Sequence, residues 1–207
     1  MEWNNYKKID AGCDKYGKQR LKLACYVRDQ ILSNINNIWF LENGTLLGAW
    51  RNKKFIDHDD DFDIAMLIDN RLEIKKIYDI ISNLLIDKYK CRIVDTYCTK
   101  LEVYDPSYGN YILDGPKYNN SDYHYVTLDI QFYNYIDKDK YQIMYHIAKE
   151  KSIVALKDIL PITPIVLENE IFNSPKDIEL FLTDKYGSLD PNAKYCLDTD
   201  KYHLEII

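Results

Sequence analysis

The sequence predicts an α/β fold of the α+β kind, with a mixed β-sheet flanked by helices, and three observations carry that prediction. Apolar residues recur with a spacing near 3.6 over residues 16–34 and 71–87, as on one face of a helix. Short runs rich in Ile, Val, Tyr and Phe lie between and after them, bounded by Asn, Asp and Gly, as strands are. These segments do not follow the regular strand–helix–strand order of a parallel, doubly wound sheet, so the sheet should be mixed. The 207 residues suit one domain spanning 1–207, large enough to bury a core without disulfides or structural metal.

In chain order, Leu21, Leu23, Ala24, Val27, Ile31 and Leu32 mark the first amphipathic helix. It leads into a short buried strand, Ile38-Trp39-Phe40-Leu41, and then into a Gly-Thr turn with a short apolar helix. A loop over 52–60 precedes a strand expected over 61–68. Leu72, Ile74, Ile77, Ile80, Ile81, Leu84 and Leu85 form the apolar side of the next helix. Strand-like segments follow at 91–95, 99–104, 111–113 and, longest, 125–135, with Asp137-Lys138-Asp139-Lys140 turning the chain into 141–145. A small hairpin over 165–172 should turn at Glu168-Asn169. Ser174-Pro175 should open a last helix that Gly187 stops near residue 186.

Chemistry concentrates in Gly44-Thr45-Leu46-Leu47-Gly48-Ala49-Trp50-Arg51 and, after seven intervening residues, Asp59-Asp60-Asp61-Phe62-Asp63-Ile64. A Gly-Thr pair ahead of a helix presents unpaired backbone N–H groups and the positive end of a helix dipole, which suits a phosphate. Asp61 and Asp63, two apart at the head of an apolar run, would share one face of a strand. Both carboxylates could then reach one divalent cation or bridge two, and hard oxygen ligands select Mg²⁺ or Mn²⁺. A further acid, Asp129, sits inside the β-forming run Val126-Thr127-Leu128-Asp129-Ile130-Gln131-Phe132, where a lone carboxylate is costly to bury. A neighbouring strand carrying Asp61 and Asp63 would supply its partner through a shared metal, the three-acid arrangement of phosphoryl and nucleotidyl transfer. Arg51, and less strongly Lys53 and Lys54, could steady phosphate charge, and His58 could touch donor or acceptor.

Composition narrows the partners. A net charge of −6 and a pI near 5.3 argue against a broad nucleic-acid surface, which would be basic. The five cysteines are odd in number and lack C-x-x-C spacing, so reduced thiols in a reducing compartment are expected, and zinc is not. No signal-peptide core and no run long enough to span a membrane is present, which makes the cytoplasm the expected location.

The string GTLLGAWRNKKFIDHDDDFDIAM resembles the signature of the LicD family, which includes fukutin and fukutin-related protein and has the polymerase-β-like nucleotidyltransferase fold. The resemblance extends to Thr127-Leu128-Asp129-Ile130 and to the C-terminal stretch from Pro161 through Ile165-Val166-Leu167-Glu168 and Ser174-Pro175 to Tyr186-Gly187. It implies transfer of a phospho-headgroup, phosphocholine or an alditol phosphate, from a CDP-activated nucleotide donor to a hydroxyl of a glycan or glycolipid acceptor, with Mg²⁺ or Mn²⁺. On the matching positions Asp61 and Asp63 would hold metal and Gly44 and Thr45 the donor phosphates. Asp129 would be a third ligand or the base, and Asp59 an alternative proton acceptor. The chain departs from many bacterial members at Asp57-His58, where they have Pro-Trp, and at Trp50, where they have a small aliphatic residue.

Other readings compete. The acidic string could be a solvated loop, as most charge runs are. It is not a calcium loop: counted from Asp57, Phe62 occupies the position that needs Gly and Ile68 the one that needs a bidentate Glu. The same acids would serve a nucleotidyltransferase moving NMP onto RNA or a small molecule. A module that binds metal or nucleotide without catalysis is the reading from a different class.

Overall fold

The computed structural model describes residues 13–56, 59–95, 98–112, 122–143, 153–190, 192–196 and 201–204. Helix α1 (Cys13–Gln30) and a 3-10 turn at Leu32–Asn34 precede strand β1 (Trp39–Leu41), helix α2 (Asn43–Asn52), strand β2 (Asp63–Ile68) and helix α3 (Leu72–Leu84). Strands β3 (Lys90–Asp95), β4 (Thr99–Tyr104), β5 (Asn110–Ile112), β6 (Asp122–His124), β7 (Thr127–Asp137), β8 (Lys140–Ile143) and β9 (Ile153–Ala155) follow. The remainder is α4 (Leu156–Ile159), the hairpin β10 (Thr163–Leu167) and β11 (Glu170–Ser174), α5 (Ile178–Tyr186), and the strand pair β12 (Lys194–Cys196) and β13 (Lys201–His203). This is the mixed α+β architecture that the sequence predicts.

The central sheet runs β1-β2-β7-β4-β3, with β8 and then β9 added beyond β7. Strands β2 and β7 are parallel, with Asp63 opposite Asp129. Every other pairing in the sheet is antiparallel. Strand β4 covers the first part of one edge of β7, and β8 covers the last part. Side chains alternate across this sheet. Ile64, Met66 and Ile68 of β2 and Leu128, Ile130 and Phe132 of β7 face a core built with α1, α2 and α3. The opposite face carries Asp63 and Asp129 at one end and a second cluster, Phe40, Ala65, Leu67, Tyr133 and Tyr141, at the other.

Some boundaries differ from those read from sequence. Strand β2 begins at Asp63, because its antiparallel partner β1 ends opposite Ile64 and leaves Asp61 nothing to pair with on that side. Asp61 is therefore a loop residue and not a strand residue. Helix α5 starts after Asp177, whose carboxylate caps it by accepting from the Leu180 N–H at 3.0 Å. Ser174 stays in the hairpin, because it pairs with Thr163. That hairpin turns where expected: Glu168 and Asn169 have φ of 51° and 68°, the two positive values of a tight two-residue turn. The pairs β5/β6 and β12/β13 lie outside the central sheet. The expected strand ends Leu113, Met144 and Tyr145, and His58 with Asp57, lie outside the described residues.

Candidate active site

The acids converge where β2 and β7 run side by side. Asp61, Asp63 and Asp129 each bring a carboxylate oxygen to within 4.8 Å of the others, and Asp59, Asp60 and Asp61 do the same along the loop. Asp63 and Asp129 are almost wholly buried. Their positions follow from the backbone: the Asp129 N–H donates to the Phe62 carbonyl at 2.8 Å, and the Glu42 N–H donates to the Asp63 carbonyl at 3.1 Å. Asp61, one residue before the ladder, reaches the same point from the loop.

Burial and mutual repulsion set the electrostatics. Loss of water, and then the Asp129 charge, push the Asp63 carboxyl up to about 7. Asp59 and Asp61 are held well above the usual carboxylate range by burial and next by the charge of Asp63. Burial raises Asp129 as well, against the opposing pull of Lys100. Asp129 Oδ1 and Asp59 Oδ2 are buried with no hydrogen-bond partner. Unpartnered carboxylate oxygens turned toward other carboxylates are costly in a protein alone and suit a hard cation. The all-oxygen donor set therefore fits Mg²⁺ or Mn²⁺.

Gly44 and Thr45 hold this cluster in place. The Thr45 hydroxyl is fully buried and accepts from the Asp63 N–H at 2.9 Å. It orients the acid strand from within and is not exposed to a ligand. Gly44 carries the Asp59 carboxylate directly against its Cα. A Cβ there would sit 2.7 Å from Asp59 Cγ, so any larger residue would displace the Asp59 carboxylate. In the turn expected to hold donor phosphate, the space where a Gly44 side chain would sit is thus filled by the Asp59 carboxylate. Arg51, expected at the phosphates, points elsewhere. Its guanidinium donates to the carbonyls of Ser188 and Leu189, both at 3.0 Å, and lies 4.4 Å from the centre of the Tyr202 ring. Gly48 serves close packing, since a Cβ would overlap the Lys54 carbonyl.

Several residues around the acids escaped the sequence reading. Lys100 pairs with Asp129 Oδ2, and the Gln131 amide donates to Asp63 Oδ1 at 3.1 Å. Buried Arg20 donates to the Asp59 carbonyl at 3.2 Å and the Tyr125 carbonyl at 2.9 Å, tying the acid loop to the chain just ahead of β7. Glu42 is fully buried, accepts from the Tyr133 hydroxyl and lies 3.8 Å from Lys185, whose ammonium also donates to Asn43 Oδ1. The Tyr111 hydroxyl donates to Asp60 at 2.8 Å. A signal for two of them was present: Thr127, Asp129 and Gln131 alternate with Leu128, Ile130 and Phe132, and Lys100 and Glu102 alternate with Leu101 and Val103. Two adjacent polar strand faces mark a polar site within a sheet. His124 is structural: its Nδ1 lies 3.3 Å from Glu102 and its ring stacks on Tyr104.

Residues 36–177 match the nucleotidyltransferase domain of the LicD/FKTN/FKRP family. The chain belongs to this family. The matched region contains Asp59, Asp61, Asp63, Lys100 and Asp129, whereas Arg20 of α1 and Lys185 of α5 support the cluster from outside it. An uncharacterized protein of Rickettsia prowazekii (strain Madrid E) is 33% identical over 81 residues, 37% of this chain. The match takes in 30% of that relative's length, so the chain spans less than a third of it. Among the described residues no helix is long and apolar enough to cross a membrane.

Proposed function

We propose that this protein is a metal-dependent phosphotransferase of the LicD type. It moves a phospho-headgroup, phosphocholine or an alditol phosphate, from a CDP-activated donor to a hydroxyl of a glycan or glycolipid. The observation that supports this reading most is the convergence of Asp61, Asp63 and Asp129 within 4.8 Å, with Asp129 Oδ1 buried and unpartnered, in a chain of this family. We place the activity in the cytoplasm, in keeping with the free thiols of Cys25, Cys91 and Cys98.

Mg²⁺ or Mn²⁺ held by Asp61, Asp63 and Asp129 would neutralise phosphate charge as the bond to the leaving CMP breaks. The protein's own groups divide the remaining work. Asp59, raised well above the usual carboxylate range by burial and the charge of Asp63, is basic enough to take the proton of an acceptor hydroxyl. Its Oδ2 has no competing hydrogen bond. Asp129 is a poorer base, because Lys100 already holds one of its oxygens. Arg20 keeps Asp59 in place through the loop carbonyl.

The deciding experiment incubates the protein with CDP-choline, CDP-ribitol, CDP-glycerol and, separately, nucleoside triphosphates in Mg²⁺ or Mn²⁺, and measures release of CMP or pyrophosphate. CMP release from one CDP donor, lost in Asp61→Asn and Asp63→Asn, is the expected result. Pyrophosphate release would replace this reading with nucleotidyl transfer. No release and no thermal shift with metal would make the chain a non-catalytic module.

A further inference from the structure

Lys100 stands on β4 in register with Gln131 of β7, is 2% exposed, and pairs its ammonium with Asp129 Oδ2. An ammonium buried so deeply has lost nearly all its water, and the Asp129 carboxylate, with the Tyr123 ring 5.4 Å away, offsets that loss. The pairing leaves Asp129 a single uncommitted oxygen, Oδ1, which is buried and without a hydrogen-bond partner. Gln131 does the same for the neighbouring strand, donating to Asp63 Oδ1. Each strand acid therefore has one oxygen already engaged by a neighbouring side chain. In the loop trio Asp60 Oδ2 accepts from Tyr111, and Asp59, packed on Gly44, keeps a buried Oδ2 without a partner.

The charges then close on a small number. Counting Asp61, Asp63 and Asp129 alone, three carboxylates and one ammonium leave two negative charges, which one divalent cation cancels; Asp59 and Asp60 add theirs from the loop side. We propose that Lys100 is a resident counter-cation that takes the place of a second metal ion. With it, Asp129 is a one-oxygen ligand, and the nucleotide-free Asp61–Asp63–Asp129 cluster binds a single divalent ion. This rests on the divalent-ion reading under Proposed function and departs from the two-ion arrangement open to three acids alone.

The test uses Mn²⁺ alone on the full chain, by titration calorimetry and electron paramagnetic resonance. Wild type should bind one Mn²⁺ per chain and give the spectrum of an isolated ion. Lys100→Met, shown to be folded by circular dichroism, should bind that ion about tenfold more tightly, because a positive charge facing it has gone. A lysine that only braced Asp129 would give the opposite sign, weaker binding on removal. An exchange-coupled Mn²⁺ pair in wild type, or weaker binding in the folded variant, overturns the counter-cation and leaves the divalent-ion reading standing. No Mn²⁺ bound by wild type overturns both. If Lys100→Met does not fold, the ion count in wild type decides alone.

Discussion

Asp63 and Thr45 show how much of the site depends on single atoms. Thr45→Val keeps the shape but leaves the buried Asp63 N–H unpaired, so it should lower stability by about 1–3 kcal/mol, and Thr45→Ser should recover most of it. Urea midpoints for the three proteins check this. The raised Asp63 carboxyl also gives the metal-free protein a defined pH dependence. Between about 4 and about 7 the folded state keeps a proton that the unfolded chain has already released, so stability falls as pH rises through that window. In EDTA the urea midpoint should be lower at pH 8 than at pH 5.5, and Asp63→Asn should flatten the difference. Saturating Mn²⁺ should raise the midpoint most at pH 8, where the carboxylates are ionised. At this scale the sequence was most legible where acids stand out against apolar neighbours, as Asp129 does between Leu128 and Ile130. It was least legible for Arg20 and Glu42, because a charge that looks like ordinary surface is identified only by the tertiary partner that buries it.

Elements carry the acids to one place, and their ends were harder to read than their existence. The long helices, the β10/β11 turn and the β7 strand follow from periodicity and local turn chemistry, which depend on neighbours in sequence. The start of β2 depends on where a remote strand stops pairing, which no local pattern encodes, whereas α5 starts at its own Asp177 cap once the hairpin holds Ser174. Helix α2 has separate tasks at its two ends. At the first, Gly44→Ala would push a methyl group into the Asp59 carboxylate, so CMP release should fall while Mn²⁺ affinity and circular dichroism stay near wild type. At the other end, Arg51 fastens the segment after α5 through two carbonyls and the Tyr202 ring. Arg51→Met should cost about 1–3 kcal/mol in stability and expose residues beyond 186 to protease, without changing Mn²⁺ affinity. A large loss of metal or nucleotide binding in that variant would return Arg51 to the site.

For the whole molecule, the ligand-linked prediction is conditional. CDP-choline or another cytidine diphosphate donor should raise the melting temperature only when Mg²⁺ or Mn²⁺ is present, because the acid cluster repels phosphate until a cation bridges them. Differential scanning fluorimetry with cytidine, adenosine and guanosine diphosphates checks both parts. Equal shifts for all three bases would remove the cytidine preference. A shift without metal would remove the bridge.

Asp63 and its partner Gln131 are 68 residues apart, and the strands that bear them are parallel. A parallel pair cannot close through a tight turn, so α3, β3 and β4 all lie in the chain between Asp63 and the Asp129 it faces across the two strands. The acids of residues 59–63 lie together in sequence, but the third ligand, Asp129, joins them only when β2 and β7 pair. Metal capture is a late event that reports completion. Mn²⁺ added during refolding should leave the folding rate unchanged and slow unfolding, since it grips an arrangement formed after the barrier has been crossed.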